Sequence, residues 1–221
     1  MQKAAAFFDV DGTLAGINIV EYYLFFLERT KSRPIRCLMW PILLIKAIYF
    51  VVLDYFSRSR FNIAFYKNYR GFEVCQLKAL SQECFETLLK PRLHGSLLKR
   101  LKNHAQNGER VVLVTGSLDF IVKPLCEYLG VPDLICASMK EENGCFTGDL
   151  RRKPVGEEEK GRLVRNFAEK NNIDLSESVA YGDSFSDIEM MECVGHAVAV
   201  NPDHRLQRRA KMRAWEILQI D

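Results

Sequence analysis

The chain has 221 residues, 48% of them hydrophobic and 27% charged, with a formal net charge of +3. That is the make-up of an ordinary globular protein, long enough for one large domain or a core with a smaller insertion, and so small a charge imbalance gives no reason to expect a nucleic-acid partner. Seven scattered cysteines (Cys37, Cys75, Cys84, Cys126, Cys136, Cys145, Cys193) form no C-x-x-C pair, which argues against a disulfide framework or zinc site and for reduced, mostly buried thiols in a cytoplasmic protein.

Met1 to Ala6 is too short for an apolar targeting core and leads into Ala4 to Val10, a buried-strand pattern that stops at Asp11-Gly12. From Glu21 to about Leu89 helix follows helix with no convincing strand, an insertion behind the first strand. Within it, Ile35 to Phe56 approaches the ~20 apolar residues needed to span a bilayer. It also carries Arg36, Lys46, Asp54 and Pro41. A largely buried helix, broken or bent at Pro41 for want of an amide donor, is expected there, with membrane contact as the alternative.

Next come a helix from Leu97 to Gln106, stopped at Asn107-Gly108, and a strand from Arg110 to Thr115 ending at Gly116-Ser117. A helix from Leu118 to Leu129 ends at Gly130, and Leu134 to Met139 reads as a third strand. Asn143-Gly144, within Met139 to Leu150, is the favoured type I′ turn of a β-hairpin. Glu157 to Asn171 opens with acids that suit the positive end of a helix dipole. Ser178 to Asp183, His196 to Val200 and Ala214 to Leu218 complete the strands. The runs show little polar alternation, as parallel strands covered on both faces do, and their alternation with helices predicts a doubly wound sheet. Ligands of such sheets bind beyond the carboxyl ends of the strands, where Asp9, Asp11, Thr115 and Asp183 fall.

The sharpest feature is FFDVDGTLAG, Phe7 to Gly16. Asp9 can offer one carboxylate oxygen to Mg²⁺ and attack with the other, while Asp11 can lend its carbonyl to the metal and act as general acid. An Asp-Gly after a strand is also a common turn. Asp183, at the tip of another strand, can complete the metal's protein ligands, and Asp187 can hold a metal-bound water or pair with a lysine; the same spacing also suits a helix cap. Thr115-Gly116-Ser117 offers a hydroxyl and amides that can cradle phosphate, or cap a helix. Lys160 is a candidate for the positive charge that phosphoryl transfer requires, although a lysine in a Glu-rich first turn is ordinarily solvated.

Taken together, DVDGTL, VTGS, GDSFSD and the lysine of Gly156-Glu-Glu-Glu-Lys160 resemble the four motifs of the haloacid dehalogenase-like superfamily, subfamily IB, its phosphoserine-phosphatase-like branch. Lys153 competes with Lys160 for the third motif. The resemblance implies a doubly wound, mostly parallel Rossmann-like α/β core over 1–17 and 90–221, with a helical C1-type cap over 18–89 inserted after the first strand. It implies Mg²⁺-dependent hydrolysis of a small phosphate monoester through an aspartyl-phosphate on Asp9, with Asp11 as acid and base. Thr115, Gly116 and Lys160 would bind phosphate; Asp9, Asp11 and Asp183 would hold the metal, with Asp187 behind them.

Two departures bear on the substrate. Where phosphoserine phosphatases place a glutamate for the substrate amine, this chain has Ala15-Gly-Ile-Asn18, and Glu21 follows a helical turn later. No counterpart of their cap arginine stands out in RFNIAFYKNYRGF. A leaving group less polar than serine is therefore expected. The alternatives are a lipid-phosphate phosphatase that sets 35–56 against acyl chains, a phosphotransferase, and a non-catalytic binding module, which would be expected to have lost Asp9 or Asp11.

Overall fold

The computed structural model describes residues 3–220, leaving aside the side chains of 35–40; Met1, Gln2, Asp221 and the side chains of Arg36 and Cys37 thus lie outside the described residues. Strand β1 (Ala5–Phe8) is followed by helices α1 (Ile19–Thr30), α2 (Arg33–Phe56), α3 (Arg58–Tyr66) and α4 (Val74–Cys84). Then come α5 (Gly95–Gln106), β2 (Arg110–Leu118), α6 (Asp119–Leu129), β3 (Asp133–Ala137), and the hairpin of β4 (Met139–Glu142) and β5 (Cys145–Leu150). The remainder is α7 (Glu157–Asn171), β6 (Val179–Gly182), α8 (Ile188–Met191), β7 (His196–Val200), α9 (His204–Arg213) and β8 (Glu216–Leu218).

Six strands form one parallel sheet in the order β3-β2-β1-β6-β7-β8. Strand alternation divides the core between the two faces: Phe7 packs with Val112, Val164 and Ala180, and Phe8 with Leu113, Leu101 and Tyr181. Phe8 stacks on Tyr181, with 4.3 Å between ring centroids. Because β1 has β2 on one side and β6 on the other, chain direction across the sheet reverses beside it. That reversal opens a crevice at the strand tips. The hairpin turn has positive φ at both Asn143 (49°) and Gly144 (76°), as the type I′ turn requires.

The helical segment is held to the rest of the chain at two places that local sequence did not reveal. Backbone bonds join it to the hairpin, Gly71 N to Phe146 O and Val74 N to Gly144 O, both 2.9 Å. At the other end, the Glu157 carboxylate accepts from Ser57 Oγ, from Ser59 N and from Ser59 Oγ. Between these anchors an aromatic cluster of Tyr23, Phe50, Phe61, Phe65, Tyr69 and Phe72 fills the interior of the segment.

Helix α2 corrects two expectations. It is one helix through Pro41 and not a two-part hairpin, the first of the two forms expected there, since the loss of one amide donor does not end a helix whose other backbone bonds form on either side. Its apolar residues are also not mostly buried. Phe50 is buried and Leu43 and Leu53 are partly so, but Leu44 (74%), Ile45 (79%), Ile48 (77%) and Val51 (69%) are largely exposed. A helix apolar on every side can turn only one stripe toward the aromatic cluster. No helix among the described residues is long and apolar enough to cross a membrane. The six described cysteines are all free, but only Cys84 and Cys126 are fully buried, fewer than expected.

Candidate active site

The tips of β1, β2 and β6 bring together the carboxylates and the lysine. Asp9 follows β1, and its amide donates to Tyr181 O at 3.0 Å, which fixes it beside β6. Lys160, on the first turn of α7, is 2% exposed, and its Nζ donates to Asp9 Oδ1 at 2.6 Å and Asp187 Oδ1 at 2.5 Å. Lys153 is exposed and lines a separate surface cavity with Arg151 and Arg162. The lysine in this cluster is therefore Lys160.

Asp187 has both oxygens occupied. Its Oδ2 accepts from the amides of Asp183 and Ser184 and from Ser184 Oγ, while Oδ1 takes Lys160. Carboxylate oxygens of Asp9, Asp183 and Asp187 lie within 4.8 Å of one another. Through these bonds Asp187 ties Lys160 to the Asp183 loop. Asp183 is held by Thr13, whose hydroxyl donates to Oδ1 at 2.9 Å. Gly12 (φ +90°) faces the same carboxylate; a Cβ there would fall 2.4 Å from Asp183 Oδ2. Glycine is required both for that backbone angle and for that approach.

Thr115 is fully buried, and its hydroxyl donates to Asp11 Oδ2 at 2.6 Å while accepting from Ser117 N. It positions Asp11 and is not among the cleft-lining residues, whereas Gly116 lines the cleft. Asp11 Oδ1 is buried with no hydrogen-bond partner among the described residues.

The electrostatics follow from burial. Loss of solvent pushes Asp9 up to about 7 against the pull of Lys160, with Asp187 and Asp11 adding to the rise. Burial, then Asp9 and Asp187, raises Asp183 well above the usual carboxylate range, and burial raises Asp11. For Lys160, burial disfavours the charge, but Asp187 and Asp9 outweigh it and the ammonium is held. Several carboxylates are thus crowded around one internal cation, with an orphaned oxygen on Asp11. An all-oxygen donor set of this kind, lacking His and Cys, fits a hard divalent cation such as Mg²⁺.

The cleft also contains residues to which the sequence motifs assign no role. Asn18, Arg58, Asn62 and Ser184 line it together with Asp9, Asp11, Lys160 and Asp183. Arg58 and Asn62 are one turn apart on α3, whose N-cap is Ser57. Arg58 lies two residues before RFNIAFYKNYRGF, and its i,i+4 spacing with Asn62 is the sequence signal that marks the pair. Asn62 is 1% exposed, its Oδ1 has no partner among the described residues, and a Cβ on Gly116 would lie 2.8 Å from its Nδ2. Tyr66 Oη donates to Gly116 O at 2.7 Å, a further tie between α3 and the β2 tip.

A profile of the haloacid dehalogenase-like hydrolases matches residues 6–192. The chain is 28% identical over 224 residues to a probable phosphatase of Mycobacterium tuberculosis, covering 99% of this chain and 76% of that protein. It is 30% identical over 147 residues to a phosphoserine phosphatase of the same organism, covering 66% of this chain and 48% of the other. The chain spans about half the length of some of the curated relatives it matches. In fold it resembles the apo crystal structure of a phosphoserine phosphatase, with a TM-score of 0.73 at 17% identity over 99% of this chain and 94% of that one.

Proposed function

The chain belongs to the haloacid dehalogenase-like hydrolase family, in its phosphoserine-phosphatase-like branch, and on that premise we propose that it is a magnesium-dependent phosphatase acting on a phosphate monoester through an aspartyl-phosphate. The observation that carries this reading is Lys160, buried and donating to both Asp9 and Asp187 in the crevice beside β1. Residues 1–17 and 90–221 form the catalytic core in this reading, and 18–89 its cap.

Asp9, Asp183 and the backbone carbonyl of Asp11 would hold Mg²⁺, which when bound supplies positive charge to offset the substrate dianion and the crowded carboxylates. Asp9 attacks phosphorus and forms the acyl phosphate. Lys160, fixed by Asp187, stabilises the negative charge that builds on the transferring phosphoryl group. Asp11, steadied by Thr115, gives its proton to the departing alkoxide; its raised pKa suits that acid role. It then takes a proton from the water that cleaves the acyl phosphate. Gly116 and Asn62 supply an amide and a carboxamide for the phosphate oxygens.

Asn18, where an amine-binding glutamate would be expected, argues against phosphoserine as substrate. The unpaired thiols of the six described cysteines suit a cytoplasmic setting. Release of inorganic phosphate from p-nitrophenyl phosphate tests the reading: turnover should require Mg²⁺, cease with EDTA and be absent in Asp9→Asn. Substantial turnover by that variant would remove Asp9 from its role.

A further inference from the structure

The catalytic cleft is small, about 140 Å³, below the ~300–1,000 Å³ of pockets that enclose a whole small ligand. A phosphoryl group can occupy it, but a leaving group of any size must extend beyond it. Next to the cleft, between α1, α2 and α3, lies a second cavity of about 530 Å³. The two share Asn18, Ile19 and Arg58 in their linings, so they adjoin at these three residues. Most of its wall is apolar, formed by Val20, Leu24, Leu43, Ala47, Phe50 and Phe61. Glu21, Tyr23 and Asp54 are its polar members away from the cleft.

Resting on the phosphatase reading of the same cleft, we propose that the substrate's leaving group carries an apolar chain, which lies in this second cavity while Arg58 at the junction meets the polar end of the ester. The charges at the junction favour this occupant over an amino-acid phosphate. Glu21 could have served an ammonium group, but its carboxylate is taken by Arg92 and by Asn18 Nδ2. Asp54 is paired with Arg58 at 3.0 Å. What the junction offers a ligand is the terminal N–H groups of the half-buried Arg58 guanidinium, whose Nε is the atom that pairs with Asp54, and the polar side chain of Asn18, suited to phosphate, carboxylate or hydroxyl groups. Beyond them the lining is mostly apolar, with the Tyr23 hydroxyl as a buried polar group that has no partner among the described residues, and α2 continues outward with Leu44 and Val51 at the cavity edge. Hydrolysis would release inorganic phosphate and an amphiphilic alcohol, with water supplying the hydroxyl that leaves on phosphate and the proton that completes the alcohol.

The test is a series of n-alkyl phosphates from ethyl to decyl, kept below their micelle-forming concentrations, with the full chain and Mg²⁺. Each methylene that enters the cavity should raise kcat/KM by about fourfold until the cavity is full, for a total gain of at least ~100-fold. Ala47→Trp, which fills the cavity, and Val51→Glu, at an exposed position where folding is not at risk, should each reduce kcat/KM for decyl phosphate by at least ~10-fold while leaving ethyl phosphate within about twofold. Decyl phosphate embedded in phosphatidylcholine vesicles, compared with the monomer, separates the sources: faster turnover identifies a membrane lipid, and equal or slower turnover a free amphiphile. A flat response to chain length, or a preference for O-phosphoserine over decyl phosphate, overturns the inference and leaves the phosphatase reading intact. Turnover of no ester, p-nitrophenyl phosphate included, removes both.

Discussion

The ammonium of Lys160 lies 2.6 Å from Oδ1 of Asp9 although 151 residues separate them in the chain. Helix α7 delivers the lysine and the end of β1 the aspartate, so the pair exists only once these distant elements are packed together. If Lys160 balances the charge on the phosphoryl group, Lys160→Met should lower kcat by at least ~10²-fold, as loss of an oxyanion donor does. Lys153→Met, on the exposed surface, should stay within about twofold. A larger loss from Lys153 than from Lys160 would reverse the assignment.

Gly12 leaves no room for a side chain beside Asp183: a Cβ there would lie 2.4 Å from Oδ2. Gly12→Ala would demand a positive φ from alanine and drive a methyl group into Asp183 Oδ2. It should cost at least ~1 kcal/mol of stability and weaken Mg²⁺ binding by displacing a ligand. Calorimetric titration with Mg²⁺ checks this, and an unchanged affinity would show that Asp183 can move without consequence.

Asp187 accepts four hydrogen bonds while 1% exposed. In Asp187→Asn one acceptor oxygen becomes a donor facing other donors, and Lys160 loses a counter-charge. A cost of ~2 kcal/mol follows for such a buried mismatch, lowering Tm by about 4–8 °C for a chain of this size. Thermal melts of the metal-free protein would measure it, and an unshifted Tm would mean that the network is not structural.

A cation seated among Asp9, Asp11 and Asp183 relieves their mutual repulsion, so Mg²⁺ should stabilise the fold as well as activate it. At a hundredfold excess over its Kd the gain is ~2.7 kcal/mol, visible as a rise in Tm of about 5–11 °C. The rise should be reversed by EDTA and absent in Asp183→Asn. A response to Mg²⁺ that survives in that variant would locate the metal elsewhere.

Thiol chemistry gives a test remote from the cleft. Burial pushes the thiols of Cys84 and Cys136 up to about 12 and that of Cys126 up to about 11, so near pH 8 all three stay protonated, and Cys84 and Cys126 are also shielded from reagent. Cys75 is exposed. Cys75→Ser should therefore lose one fast-reacting thiol toward an aromatic disulfide reagent at pH 8, whereas Cys84→Ser should leave the fast count unchanged. Rapid labelling of Cys84 would show that α4 opens.

The sequence by itself determined the parts of this protein whose causes are local. Apolar runs ending in aspartate defined β1 and β6, Asn143-Gly144 defined the hairpin turn, and the Glu-rich start of α7 defined the helix that carries Lys160. These signals lie within a few residues of what they specify, because turn geometry, capping and strand periodicity are short-range properties. Only the tertiary structure decided that Thr115 serves Asp11, that Arg58 and Asn62 reach the cleft, and that Glu157 ties α7 to α3. It also decided the course of α2, continuous through Pro41 and exposed along most of its apolar surface. A pattern apolar on all sides names no inward face; the aromatic cluster selects the stripe of Leu43, Phe50 and Leu53 by shape, and those contacts come from residues distant in the chain.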